Sequence, residues 1–378
     1  MLVTTAVSGR TADNPPFARV LPERVSGDAR QENWNALQFL QADAKGRVFL
    51  LHGDNLAVDQ LLPSGKVVVW RAPRHNDEAA ATGMVSDAVM SPDGSSWVLL
   101  TPSESDHLTL LDGDDLRDLP ATQWWVSALA YTGDGPVIAV LPATVGGGDA
   151  GASLYEAARD KPPFLLLLHD QAWQTLAEQE PLKEPIEGNR DLRPKVTISP
   201  QKIKAERETR LAAGRKGTLW VAQQNAYVLR RYSGSGALEE SVAVGGGQVQ
   251  WKDRTDEDWK ILDKASGVTL DRSRLLKTHP VRVVRGLTVQ DSRVYLVVET
   301  PEGLALDRWD TDSQVLERLL LGDVAPLPGR ISLAAGRDGL YMASRGLGEP
   351  IWRLDWQRLE GAKWKPVPEA VAERPRKK

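Results

Sequence analysis

Six polar residues stand at equivalent places in the sequence, each a few residues ahead of a short polar turn. Aligned on those turns, they are Asn35, Asp87, Ser127, Arg210, Arg285 and Arg330. Three arginines with one aspartate would form a mostly cationic ring around a common axis. Planar guanidinium groups suit carboxylate or phosphate, so the set predicts a site for a small anion. The alternative is that these charges pair with one another, or with loop carboxylates, as a structural plug.

The rest of the sequence carries no motif for catalysis or cofactor binding. No two of the five histidines have metal-ligand spacing, and the chain has no cysteine. Phosphate-binding loops, dinucleotide fingerprints and nucleophile elbows are absent. The acidic clusters at 112–118, 253–258 and 310–313 lack the spacing of a calcium loop and are interpreted as solvated turns. We therefore expect no catalytic residue, no metal and no cofactor.

Two histidines follow strongly apolar segments. His52 and His169 would both mark strand ends on one face of the fold. They could belong to a site there, but the sequence favours histidines at the surface or rim.

Trp251 and Trp259 stand in a polar stretch, 246–282, that interrupts the repeated pattern. Exposed aromatic residues on loops often mark partner surfaces, so these two are the candidate partner contacts. The alternative is that they pack the stretch locally against the rest of the molecule.

A repeated unit must position the polar residues. Each copy has a strand of small and apolar residues, a polar turn and a strongly apolar strand. The turn residues are Gly46, Gly94, Gly135, Gly217, Ser292 and Gly339. A period of about 40–50 residues with four strands per unit is typical of a β-propeller. Its innermost strands crowd the axis and favour small residues, whereas its second strands lie between blades and are apolar on both faces.

The predicted fold is all-β: a single β-propeller of six four-stranded blades over residues 31–368. The two long intervals are interpreted as insertions at about 142–163 and 246–282, and a seventh blade is the alternative. Residues 1–30 form an N-terminal extension in which 17–25 is a candidate ring-closing strand. The alternative closing strand lies around Trp364, and residues 369–378 are interpreted as a basic flexible tail.

The stretch NAYVLRRYSGSGALEESVAVGGG resembles an NHL-type repeat, and MSPDGSSWVLL is similar to a strand–turn–strand signature of many bacterial propellers. The chain thus resembles the six-bladed NHL/TolB-like propeller superfamily, which implies a fold and little about activity. Gluconolactonase-type relatives hold a divalent cation in the channel with Glu, Asn and Asp ligands. Glu208, Asn35 and Asp87 are the nearest matches here, but the arginines oppose a cation at that place.

The net charge of −4 gives no reason to expect nucleic-acid or acidic-membrane binding. No apolar run approaches the ~18 residues that cross a bilayer. The polar, proline-containing start is typical of an exported protein after signal removal, so a periplasmic or secreted location is favoured over a cytoplasmic one. The leading hypothesis is a non-catalytic propeller that binds a protein partner, or serves in an assembly, through its insertions. The alternatives are a channel-site hydrolase of the gluconolactonase type and a small-anion or saccharide sensor.

Overall fold

The computed structural model describes residues 18–25, 38–53, 55–64, 66–71, 85–101, 107–122, 124–144, 163–179, 187–188, 194–195, 207–266, 277–322, 330–344 and 351–374. These residues are nearly all in β-strands, with two short α-helices. The strands form six blades around an axis, which confirms the predicted six-bladed propeller.

Two short strands, β1 (Arg19–Val20) and β2 (Glu23–Arg24), precede the blades. Blades 1 to 3 are antiparallel sheets whose four strands follow one another from the axis outward. Blade 1 contains β3 (Gln38–Ala42), β4 (Val48–His52), β5 (Val58–Leu61) and β6 (Val67–Arg71). Blade 2 contains β7 (Asp87–Met90), β8 (Ser96–Thr101), β9 (His107–Asp112) and β10 (Asp115–Asp118). Blade 3 contains β11 (Trp124–Thr132), β12 (Gly135–Thr144), β13 (Pro163–His169) and β14 (Ala172–Glu178).

A two-stranded pair, β15 (Glu187–Gly188) with β16 (Pro194–Lys195), separates blades 3 and 4. Blade 4 contains β17 (Thr209–Ala213), β18 (Leu219–Gln223), β19 (Val228–Tyr232) and β20 (Leu238–Val244). The second insertion holds β21 (Trp251–Asp253), helix α1 (Asp256–Ser266) and β22 (Thr278–Pro280). Blade 5 contains β23 (Val283–Gln290), β24 (Arg293–Thr300), β25 (Gly303–Asp310) and β26 (Val315–Leu321). Blade 6 takes β27 (Ile331–Ala335), β28 (Gly339–Ser344) and β29 (Ile351–Asp355) from the C-terminal part of the chain.

The N-terminal strands complete the ring. Strand β2 pairs antiparallel with β29 and is the outermost strand of blade 6. Strand β1 pairs in parallel with β26, so it covers the outer edge of blade 5. The first and last parts of the chain therefore share a blade, which removes an exposed edge.

The C-terminal segment leaves blade 6 rather than adding to it. Asp355 caps helix α2 (Trp356–Gly361) by accepting from two backbone N–H groups, and the helix turns the chain away from β29. Strand β30 (Lys365–Pro366) then pairs with β26, and β31 (Ala370–Glu373) pairs with β20. The prediction of a flexible tail from residue 369 needs correction, because the open edge of blade 4 supplies backbone partners for β31.

The second strands lie between neighbouring blades and hold the ring together. Every residue of β4, β8 and β28 is buried. Because side chains alternate between the two faces of a strand, Phe49 and Trp97 pack between blades 1 and 2. Leu50 and Tyr341 pack between blades 1 and 6. Each such side chain contributes about 1.5–3 kcal/mol by burial, so the inner strands are fixed around the axis.

No helix in the described ranges combines the length and apolar character needed to span a lipid bilayer.

Candidate functional site

A cavity of about 570 Å³ runs along the axis, bounded by residues of the six inner strands and their turns. Its wall includes small side chains such as Ala88, Ala128 and Ala212. We call the end where the inner strands begin the channel mouth; it is formed by Asp87, Ser127, Glu208, Arg210 and Arg330. The turns that follow the inner strands lie at the other end.

The Arg330 guanidinium crosses the channel mouth and contacts three other blades. Its Nη2 donates to Glu208 Oε1 at 2.6 Å and to the Ser127 carbonyl oxygen at 2.9 Å. Its Nε also donates to Glu208 Oε1, at 3.2 Å, and its Nη1 donates to Asp87 Oδ2 at 3.2 Å. Blades 2, 3, 4 and 6 are thereby joined at the axis through one side chain.

Arg210 adds a second cation to this cluster. Its Nη1 donates to Glu208 Oε1 at 3.3 Å and to the Thr209 carbonyl oxygen at 2.8 Å. Its Nη2 donates to Gln224 Oε1. The Ser127 and Thr209 hydroxyls lie 2.9 Å apart and join blades 3 and 4 beside it.

Arg285 turns away from the other two arginines. It lies at a register shift between β23 and β24, and its Nε donates to Glu299 Oε2 at 3.0 Å within its own blade. Only its carbonyl oxygen reaches the cluster, accepting from Arg210 Nε at 3.4 Å. The sixth predicted residue, Asn35, lies outside the described residues.

The cluster is close to electrically balanced, since Arg210 and Arg330 face Asp87 and Glu208. Burial alone would lower the pKa of the Arg330 guanidinium, but the charges of Asp87 and Glu208 outweigh burial and raise that pKa. Arg330 is therefore a permanent cation. It lies between the two carboxylates that the gluconolactonase resemblance would assign to a metal ion. Among the described residues, no group of three or more His, Cys, Asp or Glu side chains is arranged to hold a metal.

The sequence predicted that Asp87, Ser127, Arg210 and Arg330 lie together, but it did not predict which groups accept hydrogen bonds from the two arginines. Glu208 precedes Arg210 by two residues and was considered only as a metal ligand. Alternation along the strand was the available signal, because residues two apart share a face.

The insertion buries one of the two candidate partner tryptophans. Trp259 lies on α1 and is only 7 % exposed, so the expectation that it offers an exposed aromatic surface needs correction. The Arg254 guanidinium lies 5.4 Å from its ring centre. Burial lowers the pKa of Arg254, while the nearby Asp258 charge raises it. Trp251, on β21, is half-buried and still contributes to the surface.

The two strand-end histidines have different surroundings. His52 is 5 % exposed and its Nε2 lies 3.0 Å from Asp59 Oδ2, so it is an interior residue of blade 1 and not the expected rim residue. His169 is exposed, with Nε2 at 3.3 Å from the carboxylate of Asp170.

The outer edge of blade 1 is apolar and has no strand over it in the described part of the chain. Val68, Val69 and Trp70 on β6 are 40 %, 44 % and 50 % exposed. The Trp70 ring meets Phe49 edge-on at 5.3 Å, and the Arg47 guanidinium lies 5.2 Å from its centre. Consecutive apolar residues on an outer strand were the sequence signal for this surface, and it was missed.

Among the described strands, the other long outer strands are either covered or expose mainly polar residues; uncovered β14 exposes Ala172, Gln174, Thr175 and Glu178. Strand β20 is paired by β31, and β26 is paired by both β1 and β30. In the described residues β10 pairs only with β9, and its residues Asp115, Arg117 and Asp118 are charged. Strand β6 therefore differs from the outer strands of its neighbours.

No family model matches this chain, and no curated protein matches it. Among solved structures it is similar to a structural genomics protein of unknown function from Bacteroides thetaiotaomicron, with 12 % identity and a TM-score of 0.48 over 88 % of this chain and 75 % of that one. It is similar to virginiamycin B lyase from Staphylococcus aureus, with 11 % identity and a TM-score of 0.41 over 85 % and 96 %. It is also similar to the tricorn protease, with 12 % identity and a TM-score of 0.45 over 90 % of this chain and 27 % of that one. These likenesses carry no inference about activity.

Proposed function

We propose that this chain is a non-catalytic β-propeller that binds a protein partner, with β6 as its principal contact. The uncovered apolar edge of blade 1 is the observation that supports this proposal. The insertion that carries Trp251 is the second proposed contact. Binding through the edge would take the form of an extended partner segment that adds a strand to blade 1.

An uncovered edge strand presents a row of unpaired backbone N–H and C=O groups. On β6 a register shift against β5 makes Trp70 an extra residue between Val69 and Arg71. Its ring contacts Phe49, which lies in register with Val68, so Val68 and Trp70 border one face and Val69 the other. A partner strand would gain backbone hydrogen bonds and cover exposed apolar surface. Native proteins usually protect such edges with charges or a covering strand, so an apolar open edge marks an interaction surface.

The charge beside β6 favours an acidic partner over a second copy of this chain. Lys66 is exposed at the start of the strand, and the Arg47 guanidinium lies over Trp70. A partner segment with apolar side chains and flanking Asp or Glu complements this surface. Two copies paired through β6 would place like charges side by side, which costs free energy.

The channel mouth supports a structural role for the axis. A hydrolase of the gluconolactonase type would need the Asp87 and Glu208 carboxylates for a cation, yet both accept hydrogen bonds from Arg330. A sensor of small anions at the mouth would need open arginines. Arg210, Arg285 and Arg330 each contact a carboxylate instead.

The experiment is purification from the native source under mild conditions, with identification of co-purifying proteins and metal analysis of the same sample. It is repeated with tagged Val69→Lys and with the matched control Gln174→Lys, which places the same charge on the exposed edge strand β14. We expect a stoichiometric partner with the native protein and the control, and its loss with Val69→Lys.

Two results would contradict the proposal. If Val69→Lys still binds the partner, β6 is not the contact, and a Trp251→Ala variant would then test the insertion. A monomer that carries about one divalent ion per chain would favour the channel-site hydrolase instead. Lactone and ester hydrolysis would then be compared between the native protein and Asp87→Asn.

A further inference from the structure

We propose that the seam between blades 3 and 4 holds a binding pocket for a small organic carboxylate. A pocket of about 340 Å³ opens there, within the size range of small-molecule sites. It is lined by Phe164, Glu178, Gln179, Arg207, Gln223, Arg230 and Tyr232. None of these residues lines the axial cavity or belongs to β6. The proposal is therefore independent of the proposed partner binding.

Strand pairing explains why this end of the seam is polar. Val221 lies opposite Arg230 in the pairing of β18 with β19, so their side chains share the face of blade 4 that Tyr232 also occupies. Val221 and Tyr232 pack on that face with Phe164 of blade 3. Towards the end of β18, Gln223 and Arg230 replace the apolar residues. The seam consequently opens into a pocket with an aromatic floor and polar walls.

Arg230 supplies a cation that the described part of the chain does not neutralise. Its Nη1 donates to Gln223 Oε1 at 3.3 Å, and no carboxylate of the described residues forms an ion pair with it. By contrast, Arg330 and Arg318 each contact a carboxylate within 2.7 Å. Gln223 Nε2 remains as an amide donor beside this guanidinium. Together they form the planar set of donors that a carboxylate accepts.

The remaining wall residues indicate which chemical group carries the carboxylate of the ligand. Both amide hydrogens of Gln179 are used, since Nε2 donates to the carbonyl oxygens of Pro163 at 2.8 Å and Val140 at 3.2 Å. The rings of Phe164 and Tyr232 lie 6.2 Å apart and offer apolar contact. Burial raises the pKa of the Tyr232 phenol, with Arg230 acting in the opposite sense, so the phenol stays protonated at neutral pH. A carboxylate on an apolar or aromatic body fits these groups.

The charge of the lining agrees with an anionic ligand. Arg230 faces the single carboxylate of Glu178 in this lining, and Arg207 has an interaction of its own. Glu178 is exposed, so water screens its repulsion of an anion more than the walls screen the attraction of Arg230.

The test uses phenylacetate and its neutral analogue phenylacetamide in calorimetric titrations. We expect saturable binding of phenylacetate and at least tenfold weaker binding of phenylacetamide. A hydrogen bond to a charged group contributes about 1.5–3 kcal/mol, so Arg230→Gln should weaken phenylacetate binding by about 10- to 150-fold. Arg117→Gln is the matched control, because Arg117 is exposed on β10 of blade 2, away from the pocket. This variant should bind phenylacetate as the native protein does.

Three results would overturn the proposal: no saturable binding of phenylacetate by the native protein, equal binding of phenylacetamide, or native affinity in Arg230→Gln. Thermal unfolding of each variant shows whether the ring remains folded. If Arg230→Gln does not fold, Arg230→Lys replaces it, because it keeps the charge and removes the planar fork. We then expect a loss of about tenfold, and native affinity in Arg230→Lys would also refute the site.

Discussion

Replacing Arg330 with methionine tests whether the channel mouth is a structural plug. Methionine keeps most of the side-chain length and removes the charge and all donors. Asp87 and Glu208 would then lose the guanidinium that lies between them, and the Ser127 carbonyl oxygen would lose a donor. Arg210 would remain on Glu208, with Nη1 and Oε1 3.3 Å apart, and would compensate for part of the loss.

The magnitude follows from burial and from the number of broken contacts. Removing one partner of a buried ion pair costs about 3–5 kcal/mol, because the other charge stays in a poorly solvated place. Asp87 and Glu208 are 6 % and 14 % exposed, but the Arg330 side chain is 22 % exposed, so we expect the lower part of this range. For 378 residues, an unfolding entropy of about 2.1 cal/mol/K per residue converts 3 kcal/mol into a fall in Tm of about 4 °C.

The pH dependence of the destabilisation distinguishes loss of the Arg330 charge from a simple packing defect, which would cost the same free energy at each pH. Without Arg330, the buried Asp87 and Glu208 carboxylates would face each other as uncompensated like charges, so loss of negative charge in acid would relieve the cost of Arg330→Met. The destabilisation of Arg330→Met should therefore be largest near pH 7 and smaller near pH 4.5.

A double-variant cycle completes the test. Glu208→Gln added to Arg330→Met removes one of the repelling charges, so the double variant should recover at least 1 kcal/mol relative to Arg330→Met. Differential scanning calorimetry of the native protein, both single variants and the double variant gives the coupling free energy. The reasoning is refuted if Arg330→Met lies within about 0.5 kcal/mol of the native protein at pH 7. An equal destabilisation at pH 7 and pH 4.5 would also refute it.

Two further predictions concern turns and packing between blades. The pKa of Asp93 is lowered to about 2, chiefly by the Ser91 hydroxyl, so its contribution to stability should be present above pH 4 and lost as pH falls towards 2. Because Asp93 is exposed, Asp93→Asn should cost at most about 1 kcal/mol at pH 7 and clearly less at pH 2, as measured by urea unfolding; an equal cost at both values would contradict this. Gly236 has φ of 80°, and an added Cβ would overlap the Leu176 carbonyl oxygen of blade 3. Gly236→Ala should therefore lower the free energy of unfolding by about 2 kcal/mol or more, and an unchanged midpoint in guanidinium would show that the two blades can separate without cost.

The blades could be predicted because each carries its own signal. The second strands are apolar on both faces, and a six-fold recurrence of small-residue strand, polar turn and apolar strand fits one architecture. The residues at the channel mouth could be predicted for the same reason, since equivalent positions in a propeller converge on the axis. Asp87, Ser127 and Arg330 come from different blades and do meet there.

The pairing of those residues could not be predicted from local sequence. Arg330 contacts Glu208 across 122 residues and Asp87 across 243 residues. Which carboxylate meets which arginine depends on side-chain direction at each strand start. Arg285 shows this, because a register shift turns it towards Glu299 and away from the axis. The set of polar residues was therefore accessible from the sequence, whereas its nearly balanced charge was not.

The C-terminal strands were missed for a related reason. The pattern of β31 is weak, as Val371 is 57 % exposed and the strand is only four residues long. Its position depends on α2, which redirects the chain after blade 6, and on an open edge of blade 4. Pairing that depends on an available edge elsewhere leaves little trace in the strand's own residues.

The strands near both ends of the chain cover outer blade edges, and this makes the uncovered edge strand β6 stand out as an interaction surface. Strands β1, β30 and β31 cover the outer edges of blades 4 and 5, and β2 completes blade 6. In the described part of the chain, the uncovered edge of blade 2 is charged and that of blade 3 exposes mainly polar residues, which discourages pairing with other chains. Strand β6 has neither protection in the described residues, although Val68, Val69 and Trp70 are exposed. Such an edge either meets a partner or, despite the repulsion between the basic groups of two copies, promotes non-specific association through its exposed apolar side chains. Protein produced without its partner should therefore aggregate more readily than the Val69→Lys variant, and protein purified with its partner from the native source should not aggregate.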